Sequence, residues 1–421
     1  MSDTERKLRM FEGLFEANAA VTSSLDRDEV LNLVMEKARE LLNAEAASIF
    51  LLDEKTDELV LEVSTNLPQN SESKIRFPKG LGVAGWVAAN GQPVVTKDIS
   101  KDSRFYTGVQ NKTGFHTHSY LCVPLKIKDR IIGTAQVLNC IGRDEFSEEE
   151  LYIMEGFARQ ATIALENARL HQEELEKKRL EEELELAHRI QQQLLPEYDP
   201  QLPGYDITGF SFPSRWVGGD YFDFIQLPEN RMSIIIADVC GKGVPAAVMM
   251  SSMQAVLHSL TGLNFSLQTT VHNLNRYICL NSTSDKFITN FYSELDYTKH
   301  TLSYINCGHN PPYLFRKNGT VEALLTGGLV LGVLEDTKYA FSETYLEPGD
   351  IVLMYTDGVT EEHNEQKEMF GENRLMELVS GITELSAGEI LEKIYQAVMQ
   401  FGKDGQEAED DLTLVCIKRM E

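Results

Sequence analysis

Residues 234–250 read IIIADVCGKGVPAAVMM. An apolar run gives way to a single acid, Asp238, then to a thiol, two glycines and a lysine, and then to an alanine-rich helix start. Three chemistries suit such a turn: a phosphate cradle, a reactive cysteine, or a metal ligand at the end of a strand. A Walker A loop requires GxxxxGK[ST], but Lys242 is followed by Gly243 and the upstream position is Ile236. Cys240 has no base partner identifiable in the sequence, which a nucleophilic thiol needs. A metal ligand stays open beside an ordinary turn or cap role for Asp238, and it asks where further oxygen ligands lie.

The chain has 421 residues, 42% of them hydrophobic, which predicts two or three domains with proper cores. Its 39 basic and 65 acidic residues give a formal charge of −26, which repels a phosphate backbone and argues against nucleic acid as a ligand. Six scattered cysteines show no zinc-type spacing and read as reduced core thiols. The opening MSDTERKLRMFEG lacks a signal-peptide apolar region, and no apolar run approaches the roughly 18 residues of a membrane span. The expectation is a cytoplasmic protein without a membrane segment.

Helical periodicity is expected over 6–21 and 26–43, followed by strands at 47–53, 58–64, 92–98, 119–127 and 131–139, and a helix at 148–169. That order predicts a small α+β sensor domain. Residues 165–195 contain no Gly or Pro, and Leu180, Leu184, Ala187 and Leu194 recur at spacings of three and four around Gln191. They read as a coiled-coil-like helix that ends at Pro196. Beyond Tyr205, eight strand-like segments surround helices at 244–261, 266–282, 372–380 and 386–402, the pattern of an αββα sandwich.

Four acidic sites follow strand-like or turn sequences in this second half: VGGDYFDF with Asp220, IIIADVCGKG with Asp238, LMYTDGVTE with Asp357, and EDDLTLV with Asp410 and Asp411. Carboxylates gathered together are costly unless cations neutralise them, and hard divalent metals prefer oxygen ligands. Glycines at 218, 219, 241 and 358 permit close approach of backbone and metal.

VGGDYFDF, ADVCGKGVPAAVMM, YINCGHNPPYLF, LEPGDIVLMYTDGVTE and EDDLTLV stand in the family order of the SpoIIE-like branch of PPM-type (protein phosphatase 2C) serine/threonine phosphatases, which residues 196–421 resemble. The resemblance implies two Mn2+ or Mg2+ ions per domain and hydrolysis by a metal-activated water. Asp238 would bridge both ions, the Val239 carbonyl would bind one, Asp357 and Asp410 the other, and Asp220 would act directly or through water. The family usually has Ser where this chain has Cys240. Arg215 and Lys242 are candidate phosphate contacts, and His309 is a further candidate for substrate contact or core support.

Residues 20–170 resemble a GAF sensory domain through ARELLNAEAASIFLLD, FPKGLGVAGWVAANGQPVVTKD, LCVPLKIKDRIIGTAQVLN and FARQATIALENARL. NCIGRDEF keeps Asn139 but not the NKxxFxxxDE spacing of cyclic-nucleotide binders, so the ligand, a small molecule or a protein, is unnamed. Cys122, His116 and His118 are candidates for holding a cofactor. The expected organisation is therefore a GAF domain with an N-terminal helix at 1–170, a coiled-coil linker at 171–195 and a phosphatase domain at 196–421. ELELAHRIQQQLLP resembles the helix preceding this phosphatase branch in Rsb-type regulators of sigma factors. The implied partner is a phosphorylated, STAS-type anti-sigma-factor antagonist, and the implied assembly is a homodimer. A catalytically degenerate phosphoprotein-binding scaffold is the alternative, and the retained acid set separates the two.

Overall fold

The computed structural model describes residues 26–67, 75–214, 216–263, 265–283, 285–402 and 410–420, with residues 12, 13, 15–17 and 19 near the start. The helix read over 6–21 falls mostly outside the described residues. The chain divides into two compact units, Met1–Lys178 and Arg179–Glu421.

In the first unit, helix α1 (Arg27–Leu41) starts where the Asp26 carboxylate accepts from the backbone N–H groups of Asp28 and Glu29, at 3.0 and 3.1 Å. Val30, Leu31, Val34, Met35 and Ala38 form its buried stripe. Strands β1 (Ala44–Asp53), β2 (Glu58–Ser64), β3 (Arg76–Pro78), β4 (Val94–Thr96), β5 (Tyr120–Ile127) and β6 (Arg130–Cys140) make one antiparallel sheet in the order β3-β2-β1-β6-β5-β4. Alternation along β1 sends Ala47 and Ile49 into a core with α1 and the start of helix α4 (Glu148–Gln192). Phe50 faces the opposite core, under helix α2 (Gly82–Asn90) and beside the short α3 (Gly108–Thr113).

The sequence reading missed α2 because GVAGWVAAN is apolar on nearly every side, and Val83, Ala84, Gly85, Val87 and Ala88 are all buried. Helical contrast has no polar face to contrast with there. The two helices read at 148–169 and 165–195 are one 45-residue helix, which crosses the boundary between the units and ends three residues before Leu195.

The second unit has two sheets. One has the order β14-β11-β10-β9-β8, with β15 on β11, from β8 (Tyr221–Leu227), β9 (Arg231–Val239), β10 (Ile288–Asp296), β11 (Thr301–Cys307), β14 (Gly327–Gly328) and β15 (Ser342–Tyr345). The other has the order β13-β12-β16-β17-β7, from β7 (Tyr205–Phe212), β12 (Tyr313–Phe315), β13 (Val321–Ala323), β16 (Ile351–Tyr355) and β17 (Leu412–Arg419). Ile234, Ile236, Phe291, Val352, Met354, Val415 and Ile417 interdigitate between the sheets. Helices α5 (Val244–Thr261) and α6 (Leu267–Asn281) cover the outer face of the first sheet. A single turn, α7 (Asp357–Thr360), is followed by α8 (Gly371–Ser380) and α9 (Ala387–Phe401), which cover the outer face of the second. This is the αββα sandwich. It explains the III run of β9, whose Ile235 packs under helices while Ile234 and Ile236 meet the facing sheet.

Candidate metal centre

The four acids lie at one end of the sandwich because antiparallel pairing puts the start of one strand beside the end of its neighbour. Tyr221 pairs with Ala237, which brings Asp220 alongside Asp238. Tyr355 pairs with Leu414, which sets the residues after β16 beside those before β17. Asp357 is the first residue of α7 and Asp410 lies two residues before β17, so neither is itself a strand residue.

Mutual repulsion marks the cluster. Burial pushes the Asp220 carboxyl well above the usual carboxylate range, and the charges of Asp238 and Asp411 push it further. Asp238 is pushed up to about 7 by burial and then by Asp357, Asp410 and Asp411. Asp357 rises to about 6 through burial, Asp410 and Glu361. Lys242 Nζ lies 2.8 Å from an Asp410 carboxylate oxygen, a partly exposed ion pair at the edge of this acid group.

The turn after β9 is built for close approach. Gly241 and Gly243 have φ of +93° and +75°, a region that side-chain-bearing residues rarely enter. A Cβ on Gly219 would stand 2.9 Å from the Val239 carbonyl oxygen, so the glycine lets the chain pass close to that oxygen beside Asp238.

Polar contacts pin the two sheets together beneath the acids. Thr356 Oγ1 donates to Asp220 at 2.7 Å and accepts from the Thr413 N–H at 2.9 Å. The buried Asp411 carboxylate accepts from Ser214 N, Ser214 Oγ and Gly219 N at 2.8, 3.0 and 2.8 Å. Asp411 is thus the anchor of Ser214 and Gly219, while its neighbour Asp410 faces Lys242. Gln191, near the end of α4, accepts from Gly218 N at 3.1 Å and donates to Gly218 O at 2.7 Å. Thr356 and Gln191 were not read as site residues in the sequence, and Asp411, named with Asp410 in the fourth acidic site, was given no role of its own. The one signal was the polar Gln191 interrupting the apolar spacing of its helix.

The other candidates fall out differently. Cys240 Sγ accepts from Phe287 N at 3.1 Å and ties the turn to the chain entering β10. His309 is buried, its Nδ1 lies 2.8 Å from Thr289 Oγ1, and burial lowers its pKa to about 4. Its ring is thus held within the core. Arg215 lies outside the described residues. In the first unit, Cys122 is a buried thiol pushed up to about 12 by burial, and His118 uses its backbone N–H to bond Asn139. Asn139 itself bridges Glu45 and the His116 carbonyl.

Among the described residues, no three His, Cys, Asp or Glu side chains close on a common point as a finished ligand set. The acids are gathered with their repulsion unrelieved. Hard oxygen donors and carboxyls driven toward protonation are what a divalent cation fits.

Comparison with known proteins agrees with this architecture. Residues 228–420 match the family model of Stage II sporulation protein E (SpoIIE), and residues 26–165 match that of the GAF domain. The phosphoserine phosphatase RsbU of Bacillus subtilis (strain 168) is 34% identical over 241 residues, 57% of this chain and 71% of that protein. RsbP, a phosphoserine phosphatase of the same organism, is 30% identical over 184 residues, 42% of this chain and 45% of that protein. The SiaA-PP2C domain of Pseudomonas aeruginosa superposes with a TM-score of 0.52 at 19% identity, covering 58% of this chain and 98% of that domain, and shares the fold. With a relative matched along most of its length and two domain models matched in sequence, the chain belongs to the SpoIIE family of phosphatases that includes RsbU, here joined to an N-terminal GAF domain.

Proposed function

We propose that the chain is a sensor-regulated, metal-dependent protein serine/threonine phosphatase whose ions are Mn2+ or Mg2+, two per phosphatase domain. The supporting observation is the set of acids from four chain segments at one end of the sandwich, with the carboxyls of Asp220, Asp238 and Asp357 raised together. Asp220, Asp238, Asp357, Asp410 and the Val239 carbonyl would hold the ions. When bound, such ions neutralise charge on a phosphoryl group and lower the pKa of a water toward about 7.

The chain's own groups do the rest. Thr356 orients Asp220 through its hydroxyl. Asp411 holds Gly219 and Gln191 holds Gly218. Lys242, on its flexible stem beside Asp410, is the first proposed phosphate contact, acting as a point charge. Arg215 is the second proposed phosphate contact.

RsbU and RsbP are phosphoserine phosphatases by name. The substrate proposed for this chain is a phosphoserine or phosphothreonine on an STAS-type anti-sigma-factor antagonist. Homodimerisation through the GAF region and the exposed part of α4 is proposed on the apolar residues of that helix, of which Leu170, Leu175, Leu180 and Leu186 are exposed. A ligand or partner at the GAF domain would then act on the phosphatase through α4.

Hydrolysis of p-nitrophenyl phosphate and of a phosphorylated STAS protein, with Mn2+ and with Mg2+, tests the reading. Activity with either ion that is lost in Asp238→Asn and Asp357→Asn supports it. Inactivity with every divalent ion and both substrates, or full activity in the variants, defeats it. Tight binding of the phosphoprotein without turnover would point to the scaffold instead.

A further inference from the structure

Residues 324–334 read LLTGGLVLGVL and carry no charged side chain, in a chain with 65 acidic residues. Leu329, Val333 and Leu334 are each more than half exposed, and Phe287, on the segment paired with them, is exposed as well. Single exposed apolar side chains are ordinary on any surface. Several held together on two paired segments are the mark of an interaction surface.

The backbone beneath these side chains is pinned, so their exposure is built in. Buried Leu331 donates its N–H to the Ile288 carbonyl at 2.9 Å and accepts from the Ile288 N–H at 3.0 Å. Asn275 of α6, fully buried, accepts from the Gly332 N–H at 2.9 Å and donates to the carbonyls of Leu334 and Glu335 at 2.9 and 3.0 Å. Gly332 has a φ of +94°, and a Cβ there would stand 2.7 Å from Ile278 Cγ2. A surface fixed in this way has little backbone freedom left to lose when a partner covers it.

The patch lies at the acid end of the sandwich. Val239, next to Asp238, pairs with Ile288, and Ile288 pairs with Leu331. Two strand spacings, about 10 Å, thus separate Leu331 from the strand that carries Asp238. Phe287 is closer still, since its carbonyl accepts from the Cys240 N–H at 3.0 Å. Lys286 Nζ donates to the Cys240 carbonyl at 3.2 Å, which sets a second cation beside this turn in addition to Lys242. A folded protein of roughly 100 residues has a radius of gyration of about 13 Å. Such a body presents a phosphorylated side chain to Asp238 only by covering what lies around it, whereas a single-ring phosphate ester covers almost nothing. Charge selects the side it covers. The chain carries −26, and an uncharged stretch beside two lysines spares a phosphate-bearing protein that repulsion.

We propose that Phe287, Leu329, Val333 and Leu334 form the docking face for the phosphoprotein substrate, taking an apolar patch of that protein beside its phosphoserine or phosphothreonine. The inference rests on the phosphatase reading above and adds to it the surface that tells a protein substrate from a small ester.

The experiment uses the full chain with Mn2+ and compares p-nitrophenyl phosphate with a phosphorylated STAS protein. Leu329→Ser combined with Val333→Ser should raise KM for the phosphoprotein at least about tenfold with little change in kcat, the signature of lost uniform binding. The same variant should hydrolyse p-nitrophenyl phosphate within about twofold of wild type, as for other exposed substitutions. Leu334→Ser serves if the double variant does not fold. Leu263→Ser is the control: it is equally exposed but follows α5 at its far end, 18 residues from the helix start, and should leave both substrates unchanged. Unchanged phosphoprotein kinetics in a folded variant would overturn the docking face and leave the phosphatase reading standing. So would equal losses on both substrates, an equal loss in Leu263→Ser, or a wild-type chain that hydrolyses the ester and not the phosphoprotein. Inactivity of the wild type on both substrates would instead defeat the phosphatase reading, and the docking face with it.

Discussion

The two units bury polar groups by opposite means. In the GAF unit, Ser48, Gln136 and Tyr120 satisfy one another with neutral hydrogen bonds and carry no net charge. In the phosphatase unit, Asp220, Asp238, Asp357 and Asp410 face like charges, and the partners named around them, Thr356 and Lys242, do not balance the sum. A neutral network of this kind needs no counter-charge to be buried. An acidic cluster is unfinished as a fold and draws its stability from what it binds. The difference predicts that divalent cations bind the second unit and not the first.

The comparison is most easily broken at the acids. Asp238→Asn or Asp357→Asn should lower hydrolysis by about 10³-fold or more, because metal charge stabilisation is worth several kcal/mol and each 1.4 kcal/mol is tenfold. Steady-state kinetics at saturating Mn2+ would reveal it. Gly358→Ala should cost about 1–3 kcal/mol in denaturant unfolding, since its Cβ would stand 2.0 Å from the Asp411 carbonyl oxygen. Gln191→Ala strips two partners from Gly218 and should weaken metal affinity about 10- to 100-fold, as read by titration calorimetry.

A pH series sharpens the contrast. The folded-state carboxyls of Asp238 and Asp357 are raised to about 7 and about 6, above an unfolded value near 3.9. Raised folded values mean the folded state holds these protons more tightly. Their contribution to stability is therefore full below about pH 4 and is lost as pH rises through 6 and 7. The metal-free chain should melt at a lower temperature at pH 8 than at pH 5, and added Mn2+ should flatten that slope. A metal-free chain whose melting temperature rises over this range would show that the acids do not repel as described. Smallest of all, Lys242→Ala should change stability by less than about 1 kcal/mol, as for any partly exposed ion pair, while lowering kcat/KM if the lysine meets phosphate.

Much of the architecture was legible because it is local. Strand β9 was plain from its III run, and α9 from a helical stripe opened by Ser386 and Glu389, which form a capping box. The acids could be found because each interrupts an apolar run or precedes one. Helix α2 was not legible, having no polar face, and neither was the placement of Asp357 on a helical turn instead of a strand end. The contacts that organise the centre were hidden for another reason. Thr356 reaches Asp220 across 136 residues, and Asp411 reaches Ser214 across 197. Periodicity reports neighbours along the chain, and these pairings depend on how two sheets face each other.

Gln191 has a consequence for how the centre meets its surroundings. Its amide reads both the N–H and the C=O of Gly218, two residues before Asp220, without any charge of its own. Ionic strength and pH near neutrality leave such a bond unchanged, while the pull of a cation on the neighbouring carboxylate varies with both. One turn thus answers to a constant restraint from α4 and to a variable one from solution. Whatever loosens the amide at the end of the helix shifts the ion concentration at which the turn is held, so the sensor's output can be a change in metal threshold with the chemistry itself untouched.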